Sequence, residues 1–294
     1  MGLFRTIGLL PFPLLWALGI GLGRLAGRLA GSRRRVALRN LEICLPELPQ
    51  RECERIASLH FGYLGVAALT QGLVWGASSR RLARLVKLRH RERFDELHAQ
   101  GRNIIIMVPH FVGLELGGAA FTALVHRGMY MYQKIRNPVI DAQMNASRVR
   151  FGALSIERQD GLRALVREIR RGTPFFYLPD QNAGRRDGIF VPFCGIPAST
   201  VPMLGRFAQM GDAVVLPTYT RFLPWGRGLE LIFDQPLEPF PSGDQSVDTA
   251  YMNRVIEARI HTMPAQYFWV HRRFKTRPLG EPPIYPPKRR RFRG

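Results

Sequence analysis

Three short apolar runs stand out in the pattern of hydrophobic and polar positions, and a proline closes each of them. They are residues 104–108, 175–178 and 214–216, followed by Pro109, Pro179 and Pro217. A short, unbroken apolar run is typical of a strand that is covered on both faces, as in a parallel sheet. The pattern therefore predicts three buried strands.

Helical periodicity appears between these runs. In 160–172, Leu162, Leu165, Val166 and Ile169 follow helical spacing, with Asp160 as a candidate N-cap and Gly172 as a candidate C′ glycine. Similar patterns predict helices over 51–76, 200–210 and 248–263. Strands that alternate with helices indicate an α/β fold: a mixed, mostly parallel sheet with helices on both faces.

The N-terminal region is apolar and then basic. Residues 6–23 carry no charge, which is near the short limit of roughly 17–25 residues for a membrane span. Pro11 and Pro13 weaken a straight span, so an interfacial helix and a cleaved signal peptide remain alternatives. Because arginines follow this stretch from Arg24 onward, the main body is expected to face the cytoplasm. We predict an N-terminal membrane helix.

Within the same region, glycines recur every four residues, at Gly19, Gly23, Gly27 and Gly31. Small residues at this spacing let a second helix approach closely. That helix belongs either to another protein or to the same chain, and we favour packing within the chain.

The predicted organisation has three parts. Residues 1–31 form an N-terminal membrane anchor helix, 32–280 a catalytic domain, and 281–294 a proline-rich basic tail. The tail, which begins Glu281-Pro-Pro-Ile-Tyr-Pro-Pro, is expected to be disordered.

The formal net charge of +21 requires anionic partners, but it does not choose among lipid, nucleic acid and acidic protein. The three cysteines, Cys44, Cys53 and Cys194, are odd in number and lack a C-x-x-C spacing. This pattern argues against a disulfide framework and a zinc site, so we expect reduced, structural thiols and no metal.

The strongest candidate for chemistry is the pair His110 and Glu115, in the sequence Val-Pro-His-Phe-Val-Gly-Leu-Glu-Leu after the first predicted strand. Open α/β sheets bind ligands at the carboxyl ends of their strands. Positions five apart on one helix point about 140° away from each other at roughly 100° per residue, so His110 must lie in the turn before the helix. Glu115 is then expected to hold one ring nitrogen, which leaves the other as a general base.

Other enzyme signatures are missing from the sequence. It contains no G-x-S-x-G nucleophile elbow, no phosphate-binding P-loop and no H-E-x-x-H zinc helix. A serine lipase is therefore disfavoured.

The motif His110-Phe-Val-Gly-Leu-Glu115 resembles the H-x4-D/E signature of glycerolipid-type acyltransferases, and further blocks are similar to the late acyltransferases of lipid A biosynthesis. The blocks run in the family's order across most of the chain: 136–141 (Arg-Asn-Pro-Val-Ile-Asp), Glu157-Arg158, 177–181 (Tyr-Leu-Pro-Asp-Gln), 190–198 (Phe-Val-Pro-Phe-Cys-Gly-Ile-Pro-Ala) and 264–278, which contains His-Arg-Arg-Phe-Lys-Thr-Arg-Pro. This combination is highly specific. One departure is Asn182, at a position that is often acidic in the family.

The resemblance implies a glycerolipid acyltransferase-like fold and the transfer of a fatty acyl group from an acyl carrier protein thioester to a hydroxyl of a lipid A precursor. It implies a location at the cytoplasmic face of the inner membrane, with anionic lipids as further partners and without a cofactor. His110 would be the base and Glu115 its orienting partner. Arg158, from the second block, would stabilise the oxyanion or hold a phosphate.

Arg136, Arg185 and Arg186 are candidate substrate-binding residues, since arginine grips phosphate bidentately. The roles of His271, Arg272 and Arg273 in the closing block stay open between phosphate binding and domain closure.

Two alternatives remain at this stage. One keeps the chemistry but uses another lysophospholipid or glycolipid acceptor. The other is a basic membrane-associated module that binds nucleic acid or lipid without catalysis. The basic residues are dispersed and no nucleic-acid motif is visible, so nucleic acid is not expected.

Overall fold

The computed structural model of the chain describes residue 6 and residues 8–132, 137–157 and 161–286. Strands alternate with helices along most of it. The strands are β1 (Val86–Arg89), β2 (Asn103–Met107), β3 (Met129–Tyr132), β4 (Leu154–Glu157), β5 (Phe175–Tyr177), β6 (Ile189–Phe193), β7 (Ile196–Thr200), β8 (Ala213–Phe222) and β9 (Leu229–Phe233).

The helices of the described residues are α1 (Phe12–Leu29), α2 (Gly31–Cys44), α3 (Gln50–Leu69), α4 (Gln71–Gly76), α5 (Ser79–Leu85), α6 (Glu92–Ala99), α7 (Leu114–Leu124), α8 (Pro138–Val149), α9 (Gly161–Arg170), α10 (Leu204–Gly211) and α11 (Gln245–Thr262). Short 3₁₀ turns follow at Pro224–Gly226 and Pro264–Gln266.

Seven strands form one sheet in the order β1-β9-β8-β2-β5-β3-β4. Every neighbouring pair is parallel except β8 and β9, which are antiparallel. The strands β6 and β7 form a separate antiparallel hairpin. The predicted mixed, mostly parallel sheet is confirmed, and β2 and β5 lie side by side near its centre.

Alternate residues of β2 enter two different cores, which explains why its sequence is apolar throughout. Ile105 packs with α9 and α11 on one face, whereas Ile104 and Ile106 pack with α6 and α7 on the other. Helices therefore cover both faces of the sheet, as predicted. Gly172 has a φ of 81°, in the left-handed region expected of the glycine that ends a helix.

The glycine stripe of α1 packs against α3 of the same chain, which confirms the interpretation favoured from the sequence. A Cβ atom added at Gly19 would lie 2.6 Å from Val66 Cα, and one at Gly23 would lie 2.1 Å from the Phe61 carbonyl oxygen. On the α3 side, a Cβ at Gly65 would lie 2.1 Å from the Gly19 carbonyl oxygen. Such distances leave no room for a side chain, so the two backbones are in direct contact.

The opposite face of α1 is apolar but uncovered. Its outward leucines are Leu14, Leu18, Leu22, Leu25 and Leu29. We call these five residues the leucine ridge.

No helix among the described residues combines the length and apolar character that a membrane span needs. The predicted membrane-spanning anchor within 1–31 therefore has no support from the described residues.

The cysteines differ from expectation. Cys44 at the end of α2 and Cys194 in the β6–β7 hairpin form a disulfide, while Cys53 is free and buried. The expectation of three reduced thiols was wrong because cysteines 150 residues apart give no sequence signal of their contact.

The C-terminal segment is also more ordered at one point than its composition predicts. Tyr285 is buried, and its hydroxyl donates to Asn40 Oδ1 at 2.5 Å and accepts from the Phe274 amide at 3.1 Å. The expectation of disorder is wrong at this residue, because an aromatic ring between prolines fills a gap beside α2. Residues 287–294 lie outside the described part of the chain.

Candidate active site

His110 lies in the turn between β2 and α7, and Glu115 is the second residue of α7. The turn before the helix, predicted from the five-residue spacing, is therefore confirmed. The main chain of this turn is held by residues 264–278, the closing block of the motif series. Phe268 N–H donates to the His110 carbonyl, and Val112 N–H donates to the Gln266 carbonyl, each at 2.9 Å.

The partner of the His110 ring is Asp180, not Glu115. The distance from His110 Nδ1 to Asp180 Oδ1 is 2.6 Å, and the His110 amide donates to Asp180 Oδ2 at 2.9 Å. Asp180 follows β5, which pairs with β2 in parallel, so the two strands end at the same edge of the sheet. The Asp180 side chain is 1% exposed and the His110 side chain 19%.

Glu115 instead forms an ion pair with Arg148 of α8, with Arg148 Nη2 2.5 Å from Glu115 Oε1 and Nε 3.3 Å from Oε2. The Arg148 guanidinium also lies over the Tyr130 ring, 5.2 Å from its centre. The expected hydrogen bond that the imidazole donates to Glu115 is thus replaced by one that it donates to Asp180. The physical reason is reach: the carboxylate that follows the neighbouring strand meets the ring directly, whereas Glu115 on α7 faces Arg148.

The electrostatics of His110 and Asp180 favour an ionised carboxylate beside a protonated ring nitrogen. Burial alone lowers the pKa of the His110 imidazole, but the negative charge and hydrogen bond of Asp180, with a further contribution from Glu115, outweigh it and raise the pKa above its ordinary value. Burial likewise raises the pKa of the Asp180 carboxyl, and the His110 charge and hydrogen bonds from His110 and Tyr267 bring it below its ordinary value. Asp180 is therefore ionised, and Nδ1 of His110 carries a proton.

The remaining ring nitrogen faces the exposed side. His110 Nε2 lies 3.0 Å from Gln181 Nε2, and the Gln181 side chain is exposed. An ionised Asp180 only accepts hydrogen bonds, so Nδ1 donates to it and Nε2 presents a lone pair that accepts from the Gln181 amide. A substrate hydroxyl that replaced this amide would meet a neutral imidazole ready to accept its proton.

The closing block, whose roles were open at the sequence level, supports Asp180 and the segment after it. His271 Nε2 accepts from the Asn182 amide at 3.0 Å, and burial lowers the pKa of His271 to about 4. Arg273 is 2% exposed and donates to the Ser199 carbonyl at 2.8 Å and to Thr200 Oγ1 at 2.5 Å. These contacts tie the loop after β5 to the β6–β7 hairpin.

Asn182 serves the same junction. Its Nδ2 donates to Thr276 Oγ1, and its Oδ1 accepts from the Thr276 amide, each at 3.0 Å. The amide of asparagine makes both bonds because it donates and accepts, whereas a carboxylate only accepts.

A largely apolar cavity of about 140 Å³ lies between α7 and one face of the sheet. Glu115 and Arg148 line one part of it, together with Val108 and Leu178 at the ends of β2 and β5. Its other walls include Val74, Leu114, Gly117, Gly118, Phe121, Thr122, Tyr130, Phe176, Thr220 and Leu231. His110 itself does not line this cavity, but Val108 and Leu178 precede His110 and Asp180 by two residues each, so the cavity reaches close to that pair. Its apolar walls suit an extended hydrocarbon chain.

Two of the four candidate arginines lie within the described residues. Arg185 and Arg186 are exposed in the loop that follows Asp180. Arg136 and Arg158 lie outside the described residues.

Asp180 was the residue that sequence reasoning missed. Its signal was present, since the Tyr-Leu-Pro-Asp-Gln block follows a predicted buried strand. Neighbouring parallel strands end at the same edge of the sheet, but only the folded structure shows that β2 and β5 are neighbours.

Comparison with known proteins shows the family to which the chain belongs. A family model described as bacterial lipid A biosynthesis acyltransferase matches residues 1–276. The chain is 34% identical over 286 residues to a lipid A biosynthesis lauroyltransferase of Escherichia coli strain K12, covering 97% of this chain and 93% of the relative. It is 31% identical over 278 residues to a palmitoleoyltransferase of lipid A biosynthesis from the same strain, covering 94% and 90%.

A myristoyltransferase of lipid A biosynthesis from that strain is 29% identical over 269 residues, covering 92% of this chain and 83% of the relative. Relatives with three different acyl groups in their names thus align over most of the chain. The chain belongs to the family of bacterial lipid A biosynthesis acyltransferases and is an acyltransferase.

Proposed function

We propose that this acyltransferase moves a fatty acyl group from an acyl carrier protein thioester to a hydroxyl of a lipid A precursor, with His110 as the general base. The observation that carries the proposal is the state of the imidazole. Its Nδ1 is bound to an ionised Asp180, and its Nε2 lone pair faces the exposed side. An apolar cavity reaches Val108 and Leu178, two residues before His110 and Asp180.

The reaction balances with these groups. The acceptor oxygen attacks the thioester carbonyl while its proton passes to His110 Nε2, and the tetrahedral intermediate then breaks its carbon–sulfur bond. The imidazolium returns the proton to the departing thiolate, which leaves as the carrier protein's thiol. Proton transfer of this kind contributes about 10²–10⁴-fold, and Asp180 stabilises the imidazolium as the aspartate of a Ser-His-Asp triad does.

Glu115 remains a catalytic candidate with a different role. It acts through its negative charge, which contributes to the raised pKa of His110, and Arg148 fixes its position. This role differs from that of Asp180, which bonds to the ring itself.

The candidate arginines keep their proposed roles on the strength of the motif match. Arg158 would donate to the oxyanion, and loss of one such donor typically costs about 2.7–4 kcal/mol. Arg136, Arg185 and Arg186 would bind phosphate groups of the acceptor. The exposure of Arg185 and Arg186 in the loop after Asp180 is compatible with that role.

The acidic acyl carrier protein is the proposed donor partner. With a net charge of +21, this chain would attract an acidic protein over long range. The proposed acceptor is a lipid A precursor because the family supports it, and a lysophospholipid or another glycolipid hydroxyl is the alternative acceptor.

We also propose that the protein works at the cytoplasmic face of the inner membrane, with the leucine ridge of α1 against the lipid. Arg24 and Arg28 on α1 are exposed and would meet anionic headgroups, and Trp225 is 76% exposed beside Trp16. Sedimentation with anionic vesicles tests this: Leu18→Asp with Leu22→Asp should weaken binding strongly. Unchanged binding of that variant would contradict the ridge as the contact.

The test of the function is mass spectrometry of lipid A from two strains. One lacks the gene, and the other is the same deletion strain with the gene restored on a plasmid. Wild-type protein should restore one acyl chain per lipid A molecule, and His110→Ala at equal abundance should not. An identical lipid A profile with and without the gene would overturn the proposal.

A further inference from the structure

One face of α7 forms a side of the apolar cavity along its length. Glu115, Gly118 and Thr122 all line the cavity. Residues three, four and seven apart lie on one side of a helix, and the rise of about 1.5 Å per residue puts Gly118 roughly 4.5 Å and Thr122 roughly 10.5 Å beyond Glu115 along the helix axis. Glu115 therefore marks the end near His110, and Thr122 marks a point two turns deeper.

Two adjacent glycines on this face differ in the space around them. A Cβ added at Gly117 would lie 2.2 Å from Thr220 Cγ2, so glycine there is required by the close contact of α7 with the sheet. A Cβ added at Gly118 would meet no atom within 4 Å. Since Gly118 lines the cavity and has no packing reason to be glycine, the volume that a side chain would occupy at that position is open.

Glycine inside a helix is less favourable than alanine, because it loses more backbone freedom on folding. Gly118 lies in the interior of α7 and is only partly buried. Neither a positive φ nor a clash accounts for this glycine, so what it preserves is the open volume on the cavity side of the helix.

We propose that Gly118 determines how long an acyl chain the enzyme accepts, by leaving the middle of the cavity open. The inference rests on the proposed function. A chain whose thioester carbonyl lies at His110 passes Gly118 on its way toward Thr122 and the rings of Phe121 and Phe176. A side chain at position 118 takes up that volume and excludes the end of a long chain, while a short chain still fits.

The expected size of the effect follows from burial. Each methylene that moves from water into an apolar site gains roughly a fourfold preference. A leucine at position 118 would remove the gain for each methylene that it displaces. Gly118→Leu should therefore shift the preferred donor to a chain shorter by two or more carbons, and Gly118→Ala should shift it less.

The experiment uses the purified full-length enzyme, one acceptor preparation and an equimolar mixture of acyl carrier protein thioesters from octanoyl to hexadecanoyl. Mass spectrometry reports the acyl chain in each product. Gly76→Leu is the matched control, because Gly76 is also a helical glycine whose added Cβ would meet nothing within 4 Å, yet it is exposed and does not line the cavity.

A product profile that moves to shorter chains in Gly118→Leu, with the Gly76→Leu profile unchanged, supports the proposal. An unchanged profile in an active Gly118→Leu enzyme overturns it. If Gly118→Leu does not fold, the smaller shift expected of Gly118→Ala decides the question, and its absence overturns the proposal. A wild-type enzyme that transfers none of the chains refutes the proposed function, and this inference with it.

Discussion

Replacing Asp180 by asparagine tests how the imidazole is held and charged. The variant keeps the size of the side chain and a carbonyl oxygen that accepts a hydrogen bond, but it removes the negative charge beside His110 Nδ1. In the wild type that contact is 2.6 Å long and the carboxylate is 1% exposed, so little solvent screens it. The imidazolium that forms during transfer would lose its compensating charge.

The magnitude follows from the contact. Two unit charges about 4 Å apart at an effective dielectric constant near 20 interact by about 4 kcal/mol. An unstabilised imidazolium in the transition state would therefore slow transfer by about three orders of magnitude. Asp95→Asn is the control, since Asp95 is an exposed partner of Arg91 and should leave the rate unchanged.

The assay is the pH dependence of acyl transfer by purified enzyme. In the proposed mechanism transfer requires a neutral His110. The acid limb of the wild-type profile should therefore lie above the ordinary pKa of histidine, because the pKa of His110 is raised. Without Asp180, burial lowers the pKa of His110, so the acid limb should move to lower pH while the plateau falls. An Asp180→Asn enzyme with a wild-type plateau, or with an unmoved acid limb, would refute this account of the site.

Three further outcomes are expected. Arg148→Met should lower transfer about tenfold and move the acid limb to higher pH, because the charge of Glu115 is no longer neutralised and raises the pKa of His110 further. An unmoved acid limb would contradict the role of the Glu115–Arg148 pair. Gly65→Ala should destabilise the protein by about 1–3 kcal/mol in denaturant unfolding, because the added methyl group forces α1 and α3 apart. Gly21→Ala, with open space around it, should instead stabilise the protein by about 0.5–1 kcal/mol. Equal stabilities of the two variants would argue against the direct backbone contact. The second-order rate with acyl carrier protein should fall as salt rises while the rate at saturation stays constant, and a salt-independent rate would count against electrostatic attraction.

Local patterns predicted the parts of this fold that depend on neighbouring residues. The apolar run before Pro109 became β2, and the five-residue spacing put His110 in a turn and Glu115 in the first turn of α7. These features follow from periodicity and from the geometry of one helix, which the sequence displays directly.

Contacts between distant segments were beyond the sequence. Asp180 meets His110 because β5 lies next to β2, and Cys44 meets Cys194 because α2 lies beside the β6–β7 hairpin. The order of strands in a sheet depends on how helices pack across its two faces, which no short window of residues records. The burial of Tyr285 has the same origin, since its proline-rich surroundings indicate disorder until the gap beside α2 is known.

The most direct test of the central claim is transfer by the purified protein. The enzyme is mixed with a radiolabelled acyl thioester of acyl carrier protein and a purified lipid A precursor. The lipid product is then separated, and its mass is measured by mass spectrometry. We predict that the wild type adds one labelled chain to the acceptor, and that folded His110→Ala loses this activity by orders of magnitude. Wild-type enzyme that leaves the acceptor's mass unchanged, or His110→Ala with full turnover, would contradict the account.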